Sequence, residues 1–192
     1  MTGIVLAGGR AARLGGLDKG LQPFRGRRLI DWVLERLAPQ VDEILISANR
    51  NLETYARLGR PVLADETDAF RGPLAGLQSG LRAARYPLLL SVPCDAPFLA
   101  QDLAPRLRSE LGRRDARCAV ASVDGRIQPV FSLVRRDLAP QLDAFLASGG
   151  RAVHAWLHSI AAVAVPFDDA GAAFSPLNTP EALAVLEARD AR

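Results

Sequence analysis

The sequence predicts an α/β protein with three layers, helices covering both faces of a mainly parallel sheet. Three observations point there. Short apolar runs alternate with amphipathic stretches along the whole chain. One run, residues 87–92 (PLLLSV), is apolar almost throughout, as a central parallel strand buried on both faces must be. Two of the runs end in loops of unusual composition: LAGGR follows the first, and PCDAPF closes the run at 87–92. At 192 residues the chain fits one large domain. A chain of this size buries roughly 70% of the surface its unfolded form exposes.

The elements follow in order. Residues 4–7 form a buried strand, and 28–38 a helix with Ile30, Val33, Leu34 and Leu37 on one face. Residues 43–48 (EILISA) are the next strand, 52–58 a short helix, and 61–64 a brief strand entering the polar loop DETDAFRG. Pro73 suits the first turn of a helix reaching about residue 85, because that position has no N–H to lose. After PCDAPF a helix covers 102 to about 113. Residues 118–123 and 127–134 flank Asp124-Gly125 and read as antiparallel strands across a turn. Helices near 138–147 and 152–158, a strand at 161–165, a loop and a helix over 179–189 finish the chain. The last is opened by Thr179 as N-cap, Pro180 and the early negative charge of Glu181. This alternation is Rossmann-like, and ligands of such sheets bind beyond the carboxyl ends of the strands, where the strand order reverses.

Composition narrows the function. Hydrophobic residues make up 49% and charged residues 23%, close to globular averages. Net charge is +3 although 24 residues are Lys or Arg, and Lys19 is the single lysine. That balance suits phosphorylated ligands and lacks the basic blocks and aromatic interleaving of a nucleic-acid binder. The start MTGIVLAGG has neither a basic n-region nor a closed apolar h-region, so no signal peptide is expected. The longest uncharged stretches, such as 152–167, are too short to span a bilayer. Cys94 and Cys118 do not make a disulfide framework, and the expected setting is the cytoplasm.

The chemistry concentrates in residues 4–21, IVLAGGRAARLGGLDKGL. Gly8 and Gly9 let backbone amides approach a ligand where a Cβ would collide, and amides aimed into one concavity form an anion nest. Arg10, Arg13 and Lys19 add charge for phosphates. The spacing is neither the P-loop nor the dinucleotide GxGxxG pattern. Asp95 follows an apolar strand, where a carboxylate can hold Mg²⁺, a hard cation that keeps phosphate oxygens and waters around it. His154 and His158 stand i, i+4, but Ala155 occupies the general base's place, so they are assigned to helix packing. Cys94 is read as a small buried hydrophobe.

The stretch LAGGRAARLGGLDKGL resembles the signature of nucleotidyltransferases that act on small phosphorylated molecules, and is most similar to the molybdenum cofactor guanylyltransferase (MobA) family. The likeness continues in order through SANR (47–50), the Asp65 loop, GPLAG (72–76), PCDAPF and NTPEAL (178–183). It implies a nucleotide-diphospho-sugar transferase-like fold, with residues 1–192 as one domain: 1–100 for the nucleotide, 101–192 for the acceptor. The implied reaction transfers GMP from GTP to molybdopterin and releases pyrophosphate, with Mg²⁺ as cofactor. Its protein partners would be those that deliver pterin or mature molybdoenzymes. The alternatives are a cytidylyl- or uridylyltransferase of another small phosphate, and a non-catalytic GTP-binding cofactor chaperone.

By the same resemblance Leu6, Ala7, Gly8 and Gly9 contact the nucleotide, Arg13 and Lys19 its phosphates, Asp65 the guanosine, and Asp95 the metal. Related enzymes for other donors usually read LAAG; Gly8 in place of Ala implies room for a purine. The chain reads SANR where the family often reads NANR, so either Asn49 or a backbone group replaces the longer reach of an amide at Ser47, or that contact is weaker. On the acceptor side Arg126 is a candidate for the pterin phosphate against an ordinary hairpin turn. Asn178 is a candidate for the pterin or the metal against a residue ahead of a helix cap. Gly149, Gly150 and Arg151 are a candidate second nest.

Overall fold

The computed structural model describes residues 1–8, 18–64 and 72–174. The first strand, β1, is Thr2–Leu6. A 3-10 turn at Lys19–Leu21 leads into a two-stranded ribbon, β2 (Pro23–Phe24) and β3 (Arg27–Arg28). Then come α1 (Leu29–Leu37), β4 (Glu43–Ser47), α2 (Leu52–Ala56), β5 (Val62–Leu63), α3 (Pro73–Ala83) and β6 (Leu88–Pro93). The second half holds α4 (Leu103–Arg113), β7 (Cys118–Val123), β8 (Arg126–Arg135), α5 (Ala139–Ala147), α6 (Val153–Ser159) and β9 (Val163–Pro166). A 3-10 stretch at Asp168–Phe174 ends the described chain.

Seven strands form one sheet in the order β5-β4-β1-β6-β8-β7-β9. Every neighbouring pair is parallel except the two that involve β8. The sheet is therefore mainly parallel, with one reversed strand. Alternation along β1 divides the core. Val5 faces a cluster with Ile30 and Val33 of α1 and Leu103 and Leu107 of α4. Ile4 faces the opposite cluster, with Leu74 and Leu77 of α3, Leu142 of α5 and Trp156 of α6. Both faces are buried, and the three layers follow.

The chain steps from β1 to β4 and β5 on one side, then returns through α3 to β6 on the other. The strand order thus reverses between β1 and β6, whose ends pair as Leu6 with Pro93. That is the crevice where such sheets bind ligands.

Most element boundaries fall within two residues of the sequence expectation. Helix α3 stops at Ala83 because the Arg85 N–H donates to the Glu43 carboxylate at 3.0 Å instead of continuing the helix. The Asp124-Gly125 turn is a two-residue hairpin turn, with φ of 50° and 72° and Val123 paired to Arg126. Such left-handed turns match the twist of a hairpin and favour Asp-Gly. The β2–β3 ribbon was not foreseen, since only Phe24 in it is apolar and buried. Its reversal runs through Arg25 and Gly26, both at positive φ. Phe24 packs edge-on to Trp32 and to Phe98 of the PCDAPF segment, which ties the ribbon to the β6 loop. The helix expected over 179–189 lies outside the described residues.

Candidate active site

A cavity of about 180 Å³ opens at the strand reversal. Leu6, Ala7 and Gly8 bring one wall from the end of β1, and Pro93, Cys94 and Asp95 bring another from β6. Ser47 enters from β4, Pro73 and Gly76 from the start of α3, and Val130 from β8. Backbone bonds hold the walls together: the Ala7 N–H donates to the Ser47 carbonyl at 2.8 Å, and the Cys94 N–H to the Leu6 carbonyl at 3.2 Å. Parallel pairing continues past the last strand residues and fixes where the loops begin.

Lys19 and Asp95 meet across the cavity, with the ammonium 3.5 Å from Oδ2 of the carboxylate. Asp95 is 7% exposed. Asp18, next to Lys19, also lines the cavity. Its Oδ1 accepts the Tyr55 hydroxyl at 2.5 Å and its Oδ2 the Asn51 amide at 3.1 Å. Burial, reinforced by Cys94 and Asp18, pushes the Tyr55 phenol far above its ordinary range, so it remains an O–H donor. Burial, with Asp95 and Asp18 adding to it, likewise raises the Cys94 thiol. Cys94 is a neutral, buried filler, as expected from its lack of motif partners.

The cavity brings together Leu6, Ala7, Gly8, Lys19 and Asp95 of the expected residues. Gly9, Arg13, Asp65 and Asn178 lie outside the described residues. Arg126 stands exposed at the tip of the β7–β8 hairpin and does not line the cavity; Val130, farther along β8, does. The space beside Gly8 belongs to a neighbour: a Cβ there would lie 3.1 Å from Asn49 Nδ2 and 3.9 Å from Ser47 Oγ.

Two other expectations are corrected. The Gly149 and Gly150 amides donate to the Leu146 and Phe145 carbonyls, closing the end of α5, so they form a helix cap and not an anion nest. His154 and His158 are exposed, while Trp156 and Leu157 form the packed face of α6. Asp18, part of the DKGL signature, and Val130, the end of the DGRIQPV segment that the resemblance sets near the acceptor, both line the cavity. Asn51 and Tyr55 were not singled out from the sequence, and local spacing carries no signal for either.

Among the described residues no three His, Cys, Asp or Glu side chains cluster as a protein-only metal site. One buried carboxylate facing a cavity fits Mg²⁺ with a nucleotide, since that ion takes one or two carboxylates and completes its coordination with phosphate oxygens and water. Among the described residues no helix is long and apolar enough to cross a membrane.

Solved structures share the fold, a Rossmann-like three-layer α/β arrangement. The chain superposes on molybdopterin-guanine dinucleotide biosynthesis protein A from Archaeoglobus fulgidus with a TM-score of 0.82 at 22% identity, covering 100% of this chain and 99% of that one. It also resembles 2-C-methyl-D-erythritol 4-phosphate cytidylyltransferase from Thermus thermophilus, with a TM-score of 0.72 at 18% identity and 98% of both chains covered. The chain belongs to the MobA-like NTP transferase family, whose model matches residues 3–163. A molybdenum cofactor guanylyltransferase of Polynucleobacter asymbioticus is 47% identical over 192 residues, 98% of this chain and 96% of the relative. One from Burkholderia orbicola is 50% identical over 198 residues, with the same coverage of each.

Proposed function

We propose that the protein transfers GMP from GTP to the terminal phosphate of molybdopterin, with molybdenum bound or awaited, and releases pyrophosphate. The observation that carries this reading is the convergence of Gly8, Lys19 and Asp95 on one cavity at the strand reversal. The relatives that match nearly end to end bear the name of this activity.

An oxygen of the acceptor phosphate attacks the α-phosphorus, a new P–O–P bridge forms, and the α–β bond breaks. The attacking phosphate is already ionised near neutral pH, since its second pKa is about 6. No general base is required. Alignment and charge neutralisation dominate such a transfer. Lys19, with Arg13 and the Gly8 and Gly9 amides, takes up charge on the departing pyrophosphate. Leu6 and Ala7 line the nucleotide, and Asp65 receives the guanosine. Asp95 would hold Mg²⁺, which supplies positive charge beside the phosphates when bound. The first hundred residues serve the nucleotide; the remainder serves the acceptor, with Arg126 and Asn178 as candidates for its phosphate and pterin. Pterin-delivering and molybdoenzyme-maturing proteins are the partners this role implies.

Pyrophosphate release across GTP, ATP, CTP and UTP, with and without molybdopterin, tests the reading. Release should require both GTP and molybdopterin. Equal use of GTP and CTP would overturn the guanine assignment, and GTP binding without release would indicate a chaperone.

A further inference from the structure

Asp18 opens the 3-10 turn Lys19–Leu21, yet its side chain makes no capping bond there. Its backbone carbonyl holds that turn, accepting the Leu21 N–H at 3.2 Å. The carboxylate goes instead to the short helix α2, where each oxygen has its own donor: Tyr55 at 2.5 Å and Asn51 at 3.1 Å. Tyr55 is fully buried. Asn51 sits just before α2 at φ 52°, a left-handed conformation that Asn tolerates better than most residues. The other side of the turn is fitted to the same hydroxyl. A Cβ on Gly20 would come within 2.8 Å of the Tyr55 oxygen and 3.1 Å of Cys94 Cβ. Lys19 lies between these two anchored neighbours, with its ammonium over Asp95.

We propose that Tyr55 and Asn51 are positioning residues for Lys19: by holding Asp18 they fix the turn that presents the ammonium to the phosphates of a nucleoside triphosphate. The proposal rests on the nucleotidyl transfer described above. A lysine has a long, rotamer-rich side chain, and a fixed starting point reduces the ordering required when phosphate arrives. Each bond to Asp18 is charge-assisted, the class of hydrogen bond best suited to hold a turn in one orientation.

Lys19 is the single lysine of the chain, which gives a direct readout. Reductive methylation with ¹³C-formaldehyde labels only its amine and the N-terminus. In the unsubstituted protein the Lys19 signal should be displaced from a free dimethyl-lysine position and move further with GTP. Tyr55→Phe keeps the buried ring and removes one hydroxyl; its Lys19 signal should lie nearer the free position and respond less to GTP. An unchanged signal and response would overturn the proposal. In pyrophosphate release, Tyr55→Phe should lower kcat about tenfold and change KM for GTP less than about threefold, and in a Lys19→Ala background the further loss should be under about twofold, because the two act as one unit. The full tenfold loss in that background would reduce Tyr55 to a general structural role. Asn51→Gly, which keeps the left-handed backbone and removes the amide, should reproduce both effects in weaker form and serves if Tyr55→Phe does not fold. No release by the unsubstituted protein, with the Lys19 signals behaving as expected, would overturn the transferase reading while supporting the anchoring.

Discussion

Asp95 and Lys19 come from segments far apart in the chain and meet at 3.5 Å beside the cavity, the carboxylate 7% exposed and the ammonium part-buried. Water screens such a pair less than a surface pair, so each charge matters more to whatever enters between them. Asp95→Ala should abolish GTP-dependent pyrophosphate release while leaving circular dichroism unchanged; retained release would remove its metal-holding role. Lys19→Ala should lose at least about tenfold in rate, because one charge-assisted contact contributes roughly 1.5–3 kcal/mol. Both residues were legible in the sequence, since each follows a strand in a segment of distinctive composition. Tyr55 and Asn51 were not. Tyr55 reaches Asp18 across 37 residues, and no local periodicity encodes a contact of that span.

Helix α3 illustrates what one small residue does for an element. A Cβ on Gly76 would lie 2.5 Å from Ser47 Oγ and 2.8 Å from Leu6 Cδ2, so glycine lets the helix rest directly on β1 and β4. Gly76→Ala gains up to about 1 kcal/mol of helix propensity but overpacks a site where such changes cost roughly 1–3 kcal/mol. Unfolding in urea should show a net loss of stability of about 1 kcal/mol. KM for GTP should rise, because Leu6 and Ser47 line the cavity. A more stable variant with unaltered KM would show that the contact relaxes freely. At this scale β1, β4, β6 and β7 were legible because both faces of the sheet are buried there and their apolar runs are nearly continuous. The ribbon of β2 and β3 was not, because two-residue strands display no period.

The sheet is also fastened at the end away from the cavity. Glu43, at the start of β4, accepts the Thr2 hydroxyl of β1 at 2.6 Å and the Arg85 guanidinium and backbone N–H ahead of β6 at 2.6 and 3.0 Å. Burial opposes ionisation of this carboxyl, but the bonds from Thr2 and Arg85 outweigh it and hold its pKa below the ordinary glutamate value. A depressed folded pKa gives stability that is complete above the unfolded value, about 4.3, and is lost as pH falls through the folded value. The urea midpoint should therefore hold from pH 7 to about 5 and fall in more acid solution. Glu43→Gln should lower the midpoint at pH 7, flatten part of the acid fall and leave pyrophosphate release at pH 7 intact. An unchanged acid profile would exclude Glu43 as a contributor.

Parallel pairing at the centre of the sheet has a consequence for the order in which the protein comes into being. Strand β1 pairs with β4 from Glu43 onward and with β6 from Leu89 onward. The cavity draws on residues from Leu6 to Val130. During synthesis, which proceeds at about 5–20 residues per second, the amino-terminal strand emerges first and waits for partners made seconds later. The glycine-bearing segment, the earliest of the site's parts to leave the ribosome, acquires its opposite wall at Pro93 to Asp95 only after nearly half of the chain has been made.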